Sequence, residues 1–460
     1  MLLNQGRINL LERAPLLARV LKARAFQPAL MLLTLAVFTL AIATGLLGTP
    51  AGSRNFGIVF VWIVWWALLI VALVPFFGRL WCAICPIPAP GEWLQPRGIV
   101  QRVPGKLRTR GLRWPRRLRN MWLQNFGFLG VALFSTVILT RPGVSAWLLL
   151  GFLLVGVALS ALYKNRVFCR YVCPVGGFIG LYSLLSPIEL RVADPDVCAS
   201  HKTKDCITGN ERGYGCPWMV FPGDLTRNAY CGLCMECLKT CPKNNIVLNL
   251  RPFGADLMVA NERRLDEAYK AFIMLGCALL YSTVLLGPWG WLKDWANLHS
   301  LPHWGLYALG FVTFTLVLLP GLFAAAVTLG RRLSGQRRPV RALLTDYAYA
   351  LVPLGLAAWI AFSVGFVLVN GTYALAVASD PFGWGWDLFG TADIAWAPLA
   401  PGLVPFLQVG VLTAGLLAAL NTVYKIARQT APHRMAFLAS LPVSGFAVVV
   451  TLAFLRLYLG

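Results

Sequence analysis

Nine stretches of the sequence are long and apolar enough to cross a lipid bilayer, and they constrain the fold more than any other feature. They are 28–48, 57–77, 123–140, 144–163, 267–287, 304–328, 343–370, 401–424 and 437–457. A bilayer core of about 30 Å needs roughly 20 apolar residues in helical form, because no water is present to satisfy the backbone polar groups. Of the 460 residues, 58% are hydrophobic and 13% are charged. The sequence therefore predicts an all-α integral membrane protein with about nine transmembrane helices.

The positions of the basic residues indicate how these helices are oriented. Basic residues collect after the second, fourth, sixth and eighth stretches, and ten lie between Arg79 and Asn120 beside the single acid Glu92. The segment 371–400 has no basic residue and three aspartates. The positive-inside rule then predicts a multi-pass protein of the bacterial inner membrane, with a cytoplasmic N-terminus and a periplasmic C-terminus. It also accounts for the formal charge of +23, so nucleic-acid binding is not expected.

Four closely spaced cysteines carry the clearest chemical signal. From Cys231 to Pro242 the sequence reads Cys-Gly-Leu-Cys-Met-Glu-Cys-Leu-Lys-Thr-Cys-Pro, which is the C-x2-C-x2-C-x3-C-P run of bacterial ferredoxins. Three thiolates at this spacing bind one cubane cluster, and the fourth, before the proline, binds a neighbouring cluster. Zinc sites instead pair two short knuckles. The run therefore favours iron–sulfur clusters and electron transfer over structural zinc.

By the same logic, the polar segment around this run holds ligands for two [4Fe-4S] clusters. The first set consists of Cys216, Cys231, Cys234 and Cys237. The second set consists of Cys198, Cys206 and Cys241. A fourth ligand for the second cluster could be His201, Asp205, a cysteine from elsewhere, or nothing, which would leave a three-iron [3Fe-4S] centre.

Two further cysteine pairs follow predicted membrane helices. Cys82-Ala-Ile-Cys85-Pro86 follows the second stretch, and Cys169-Arg-Tyr-Val-Cys173-Pro174 follows the fourth. Both pairs are expected on the same face of the membrane, where each proline stops its helix and frees backbone amides toward the sulfurs. These four thiols are either a third cluster site or redox-inert or regulatory thiols.

The two Cys-Pro motifs, followed by a ferredoxin-like segment, resemble the membrane polyferredoxins of the NapH/NosR type over about residues 57–250. The resemblance implies electron transfer between the quinone pool and a respiratory partner, such as a periplasmic cytochrome c or reductase, and a role as a quinol dehydrogenase subunit. The chain departs from that pattern in its C-x2-C first pair, its degenerate first ferredoxin motif and its five later apolar stretches.

Three residues outside the cysteine-rich region are candidates for a quinone site. His299 and His303 lie in a predicted outer loop, where they could contact a quinol headgroup or a partner haem. Asp346 lies just inside the seventh stretch and could relay a proton. The aromatic, acidic segment 380–396 is either a docking site for a basic periplasmic protein or part of an aromatic belt at the headgroups.

The sequence thus predicts four regions. They are an amphipathic N-terminal segment (1–27), a four-helix membrane domain with the Cys-Pro motifs (28–190), a cytoplasmic ferredoxin-like domain (191–266) and a five-helix membrane domain (267–460). Within the first region, residues 7–24 are expected to form a helix along the membrane surface. The alternative to electron transfer is a metal-handling or assembly factor, because soft thiolates also hold Cu(I).

Overall fold

The computed structural model describes residues 6–95 and 110–460. Within this part of the chain, eight continuous helices have the length and apolar composition of membrane spans. They are Phe26–Leu47, Phe56–Phe77, Pro142–Leu162, Leu265–Leu286, Leu301–Ser334, Leu351–Asn370, Pro401–Arg428 and His433–Leu459. The prediction of an all-α, multi-pass membrane protein is confirmed.

The third predicted stretch, 123–140, is interrupted. It forms the helices Trp122–Leu133 and Ser135–Thr140, which meet at Phe134, whose φ of −97° and ψ of 13° lie outside the helical region. The residues at the break, Phe-Ser-Thr-Val, all have modest helix propensity. The described residues therefore show eight continuous spans and one interrupted helix at the nine expected positions.

Three of the helices contain π-helical turns just before a proline. The turns Leu69–Leu73, Phe168–Val172 and Phe314–Leu318 are each followed two residues later by a proline. Proline has no N–H to donate to the preceding turn, and a wider turn is one way in which a helix accommodates that loss. The turn Phe168–Val172 matters most here because it carries Cys169.

The chain forms two compact units. The first comprises the described parts of 1–40, 72–124 and 148–256, and the second comprises 41–71, 125–147 and 257–460. Every cysteine except Cys277 lies in the first unit.

A three-stranded antiparallel sheet organises the cysteine-rich part of the first unit. Its strands are β1 (Ile8–Asn9), β2 (Ile188–Val192) and β3 (Ile246–Leu250), in the order β1-β3-β2. Residues 7–24 therefore do not form one surface helix as expected, because β1 pairs with β3. Only Leu10–Arg13 and Pro15–Lys22 are helical in that segment. Leu10 and Leu11 pack against the core beneath the sheet.

Short helices lie between the strands, and four of them contain one cysteine each, namely Cys82, Cys198, Cys206 and Cys237. The short helices are Leu80–Ile84, Ala89–Leu94, Pro174–Tyr182, Pro195–Ser200, Asp205–Thr208 and Glu236–Thr240. Pro174–Tyr182 follows the second Cys-Pro motif, and almost all of its residues are buried. Cysteines occupy part of the core that a soluble domain of this size would otherwise fill with larger apolar side chains.

A buried ion network fixes the approach to the ferredoxin-like run. Arg251 pairs with Asp256 and with Glu189, the latter at 2.8 Å, and all three side chains are almost fully buried. Asp256 also accepts the backbone N–H of Asn228 at 2.6 Å, and Arg191 donates to the Asn228 side chain at 3.2 Å. Because buried charges need partners, this network holds the segment that leads into Cys231 in one position.

The second unit contains the five spans from Leu265–Leu286 to His433–Leu459, whereas Phe26–Leu47, Phe56–Phe77 and Pro142–Leu162 are divided between the two units. It also includes the short helices Gly290–Ala296, Val340–Ala348 and Tyr373–Ser379. The predicted stretch 343–370 is thus divided between Val340–Ala348 and Leu351–Asn370.

Candidate metal centres

All twelve cysteines of the sequence lie in the described residues, and all are free thiols. Eleven of them fall into three sets whose members act electrostatically on one another. The helix-end set is Cys82, Cys85, Cys169 and Cys173. The central set is Cys216, Cys231, Cys234 and Cys237. The three-cysteine set is Cys198, Cys206 and Cys241. The sequence predicts the same groups as cluster ligands, and that ligand role stays a prediction.

The helix-end set joins two segments that are far apart in the sequence. Burial raises the pKa of Cys85, and the neighbouring thiols of Cys173 and Cys82 raise it further. Burial raises the pKa of Cys169 in the same way, with the other three thiols adding to the shift. The Sγ atom of Cys173 accepts a hydrogen bond from the backbone N–H of Gly176 at 3.2 Å. Three of these four thiols are buried and Cys85 is half-buried. Thiols clustered in this way are stable as thiolates only beside a strong cation, and a bound metal supplies one.

The central set lines a single cavity. Its four cysteines share the walls with largely apolar side chains, and the space between the atoms is about 360 Å³. Leu233 and Met235 adopt left-handed φ values of 48° and 59°, which is unusual for residues other than glycine. Together these two left-handed residues bend the run so that its thiols line one cavity. Burial raises the pKa of Cys231 to about 11, and the thiol of Cys216 adds to the shift.

One asparagine connects two members of the three-cysteine set. The side-chain amide of Asn245 donates to the Sγ of Cys198, and its backbone N–H donates to the Sγ of Cys241, both at 3.3 Å. Burial raises the pKa of Cys206 to about 11, with Cys198 and Cys241 contributing. The structure therefore brings the end of the ferredoxin-like run to the two upstream cysteines.

The candidate fourth ligands of this set contact each other. The Nε2 atom of His201 lies 2.9 Å from the hydroxyl of Thr203 and 3.8 Å from the carboxylate of Asp205. Both the histidine and the aspartate remain predictions for the fourth position.

Sequence reasoning missed two buried arginines beside the thiols, Arg79 and Arg166, each 3% exposed. Arg166 forms a bidentate ion pair with Glu92 at 2.6 and 2.8 Å and donates to the carbonyl of Cys82 at 2.6 Å. The sequence does carry a signal for them. Each arginine stands three residues before the first cysteine of a Cys-Pro motif. Because both also lie next to predicted membrane helices, the sequence alone indicates only their role in orienting those helices.

Several buried polar atoms near the thiols fit a missing anionic group. Among the described residues, Nε and Nη2 of Arg79 and the indole Nε1 of Trp218 have no hydrogen-bond partner. Trp218 also lines the cavity of the central set. Buried donors without acceptors are destabilising, and a buried cation without an anion is more so. The thiolate and sulfide sulfurs of an iron–sulfur cluster would act as acceptors and supply negative charge, so the residues present fit that cofactor.

In the part of the chain that the structure describes, no three His, Cys, Asp or Glu side chains converge closely enough to hold a single metal ion. An iron–sulfur cluster makes a different demand, because its cysteines bind separate iron atoms of one larger group.

The three predicted quinone-site residues lie in the second unit, and each has contacts there. Asp346 pairs with Arg338 at 2.9 Å and with Arg263 at 3.7 Å. His303 stacks on Trp295 with 5.0 Å between ring centroids. His299 lies 3.4 Å from the side chain of Asn297.

Sequence reasoning also missed a buried acid and a buried base in the helix Leu265–Leu286. Glu267 is 1% exposed and Lys270 is fully buried. The hydroxyl of Tyr349 donates a hydrogen bond to Glu267, and the Lys270 ammonium lies 5.8 Å from the ring centroid of Phe128. Ionisable groups near the end of a membrane helix are candidates for proton transfer. The sequence does contain these charged residues at the start of an apolar stretch, but the stretch alone does not show that they are buried.

Comparison with known proteins supports an iron–sulfur role. Residues 58–115 and 145–191 match the 4Fe-4S binding domain family, and each matched segment contains one Cys-Pro motif. Over 128 residues the chain is 30% identical to an Escherichia coli (strain K12) protein named "Putative electron transport protein YccM".

That alignment covers 27% of this chain and 32% of the relative, so the chain spans about a third of the relative's length. No solved structure matches the chain. The resemblance to a membrane 4Fe-4S electron-transfer protein is confirmed by these similarities.

Proposed function

We propose that this membrane protein passes electrons, one at a time, between a quinone in the bilayer and a partner protein. The observation that carries the proposal is the grouping of eleven thiols into sets of four, four and three within one compact unit. An iron–sulfur cluster at such a set supplies a centre that accepts and releases a single electron reversibly. The fold provides the spacing and burial of these sets.

The three sets follow one another in space. Arg166 acts electrostatically on both Cys169 of the helix-end set and Cys234 of the central set. Cys237 of the central set in turn lies within electrostatic range of Cys206. The central set therefore neighbours each of the other two, which supports a path from the helix ends through the central set to the three-cysteine set.

The residues around each set tune the reduction potential of a cluster bound there and limit its contact with water. The central cavity is walled by Trp218, Leu225, Met235 and other apolar side chains. Backbone and side-chain N–H groups donate to cysteine sulfurs at Gly176 and Asn245. Hydrogen bonds to the sulfurs and exclusion of solvent are the protein's main means of setting the potential of such centres.

Quinol oxidation releases protons, and the second unit offers groups that can accept them. Glu267 is buried near the start of a membrane helix and hydrogen-bonded to Tyr349. We place the proton-accepting end of the quinone site at this acid, with Asp346 as a further candidate. Glu267 is preferred because it is buried, whereas His299 and His303 are exposed, and a buried ionisable group in a membrane helix is costly and usually functional. His303 lies in the first turn of the helix Leu301–Ser334 and not in a loop as predicted.

We place the docking site of the protein partner on the segment 380–396. Trp384 and Phe389 are 54% and 72% exposed, and exposed aromatic residues often anchor interfaces. Asp380 is engaged internally, since its carboxylate accepts the backbone N–H groups of Trp384 and Gly385.

The test is anaerobic purification followed by metal analysis and reduction with a quinol analogue. The proposal expects iron and acid-labile sulfide in similar amounts, and EPR signals of reduced clusters that appear on adding quinol. Copper without iron would instead support the metal-handling alternative. Iron that dithionite reduces but no quinol reduces would contradict the quinone step.

A further inference from the structure

Arg79 is a buried cation beside the first Cys-Pro motif. It directly precedes the helix Leu80–Ile84 and is 3% exposed. Its Nη1 atom donates to the carbonyl of Ala229, two residues before the ferredoxin-like run begins. Its guanidinium carbon lies 4.4 Å from the ring centroid of Trp218. The guanidinium is therefore fixed between the first Cys-Pro motif and the central set.

Arg79 lies beside segments of two different sets. It stands three residues before Cys82 of the helix-end set, and its Nη1 atom lies close to Gly180, in the helix that begins directly after Cys173. Trp218, which the guanidinium contacts, lines the cavity of the central set. One guanidinium is thus placed to stabilise negative charge at both sets.

The charge of Arg79 is not met by a carboxylate among the described residues. Its Nε and Nη2 atoms have no hydrogen-bond partner there, and it forms no ion pair. Arg166 differs from Arg79, because the carboxylate of Glu92 accepts hydrogen bonds from both Nε and Nη2 of its guanidinium. A buried guanidinium with two N–H donor atoms that lack acceptors is strongly destabilising unless an anion is present. The anions that its position fits are the two clusters on either side.

The surroundings are shaped to admit this side chain. A Cβ atom at Gly180 would lie 2.8 Å from Nη1 of Arg79, so a larger residue at position 180 would displace the guanidinium. The planar face of the guanidinium rests on the indole of Trp218, a contact that lysine cannot reproduce.

We infer that Arg79 is a positioning residue shared by two clusters, donating hydrogen bonds to sulfur atoms at the helix-end and central sets and raising the reduction potential of both. The inference rests on the proposed function, because it needs clusters at these sets. Reduction adds negative charge, which a nearby fixed cation stabilises, so removing the cation favours the oxidised state.

The experiment compares Arg79→Gln and Arg79→Lys in the full-length protein, with Arg212→Gln as the matched control. Arg212 is an exposed arginine of the same unit, so solvent and salt screen its charge. The variants Cys82→Ser, Cys234→Ser and Cys198→Ser assign the EPR signals to the three sets. The readout is the midpoint potential of each signal in a redox titration, together with iron content.

In Arg79→Gln, the reduced-to-oxidised ratio at fixed ambient potential should fall about tenfold for the helix-end and central signals. This corresponds to about 59 mV for a one-electron centre. The three-cysteine signal should not move. Arg79→Lys should show a smaller fall, because the charge remains while the stacked, forked geometry is lost. Arg212→Gln should match the wild type.

The possible failures are distinguishable. A wild-type protein without clusters defeats the proposed function itself. Wild-type clusters whose potentials stay unchanged in both Arg79 variants, or shift equally at all three sets, overturn the inference alone. If Arg79→Gln loses iron, loss confined to the helix-end and central signals supports a shared counter-charge, whereas loss of all three signals overturns it.

Discussion

At the scale of single residues, the two Cys-Pro motifs share a feature that their cysteines do not reveal. An arginine precedes each first cysteine by three positions, as Arg79 and Arg166. Sequence reasoning assigned both to the positive-inside pattern, which they also satisfy. Their second role appears only in three dimensions, where both side chains fold inward beside thiols instead of outward to lipid headgroups.

The ion pair between Glu92 and Arg166 should be essential for the stability of the first unit. Replacing Glu92 with Gln leaves a buried guanidinium without its anion, and breaking such a pair typically destabilises by about 3–5 kcal/mol. We expect a lower midpoint of thermal unfolding in detergent and faster iron release. Glu211→Gln, at an exposed position of the same unit, should behave like the wild type. Equal midpoints for both variants would show that the pair contributes little.

Asn245 should set the potential of the three-cysteine centre. Asn245→Ala removes the side-chain donor to Cys198, together with the two hydrogen bonds between this side chain and the backbone of Asp194, and keeps the backbone donor to Cys241. The lost hydrogen bond to sulfur is worth about 1 kcal/mol, so that centre should become harder to reduce by roughly fivefold in its equilibrium ratio. A redox titration followed by EPR measures this. Asn210→Ala is the control, since Asn210 donates to a backbone carbonyl at 2.8 Å and not to sulfur.

At the scale of elements, hydropathy located the helices but not their interruptions. The break at Phe134 and the π-helical turns before prolines depend on packing and on local hydrogen bonds. Hydropathy averaged along the sequence does not report either of them. The same limit applies to the N-terminal segment. Its arginine-rich pattern predicts a surface helix, yet Ile8 and Asn9 pair with a strand about 240 residues later, and such long-range pairing leaves almost no local trace.

The helix Pro174–Tyr182 should position the helix-end thiols through Gly176 in its first turn. A Cβ atom at Gly176 would lie 2.9 Å from the carbonyl oxygen of Cys169. Gly176→Ala should therefore shift the start of this helix and weaken the N–H donation to Cys173. We expect selective loss of the helix-end EPR signal, with the central signal retained.

The control for that substitution is Gly130→Ala, at a helical glycine where a new Cβ would meet nothing within 4 Å. It should leave every signal in place. If Gly176→Ala did the same, the tight packing at this position would be irrelevant to the thiols.

At the scale of the whole molecule, the sequence predicted the membrane class, because helix length is a local property. The three cysteine sets follow from cysteine spacing, and their role as cluster ligands stays a prediction. The sequence did not predict the cations beside the thiols or the buried acid and base at Glu267 and Lys270, because burial of a charged residue is decided by contacts between distant segments. Residues 96–109, which belong to the predicted basic segment between Arg79 and Asn120, lie outside the described part of the chain.

Glu267 should separate quinol oxidation from the redox chemistry of the thiol sets. Glu267→Gln removes a proton acceptor and keeps the shape of the side chain. Quinol-driven reduction, followed by stopped-flow absorbance, should slow by 10²-fold or more, the usual contribution of a positioned general base. Reduction by dithionite should be unaffected. Asp294→Asn, at an exposed acid of the same unit, should retain the wild-type rate, and a wild-type rate in Glu267→Gln would remove this residue from the quinone site.

The central claim is that eleven inward-facing thiols hold iron–sulfur clusters in separate sets. Mössbauer spectroscopy of the ⁵⁷Fe-enriched protein, purified anaerobically, tests it most directly, because the spectrum identifies the form of essentially all the bound iron. The account predicts two cubane components from the helix-end and central sets and a third, cubane or three-iron, component from the three-cysteine set. A spectrum of isolated iron ions, or a protein that carries no iron and sulfide, would contradict it.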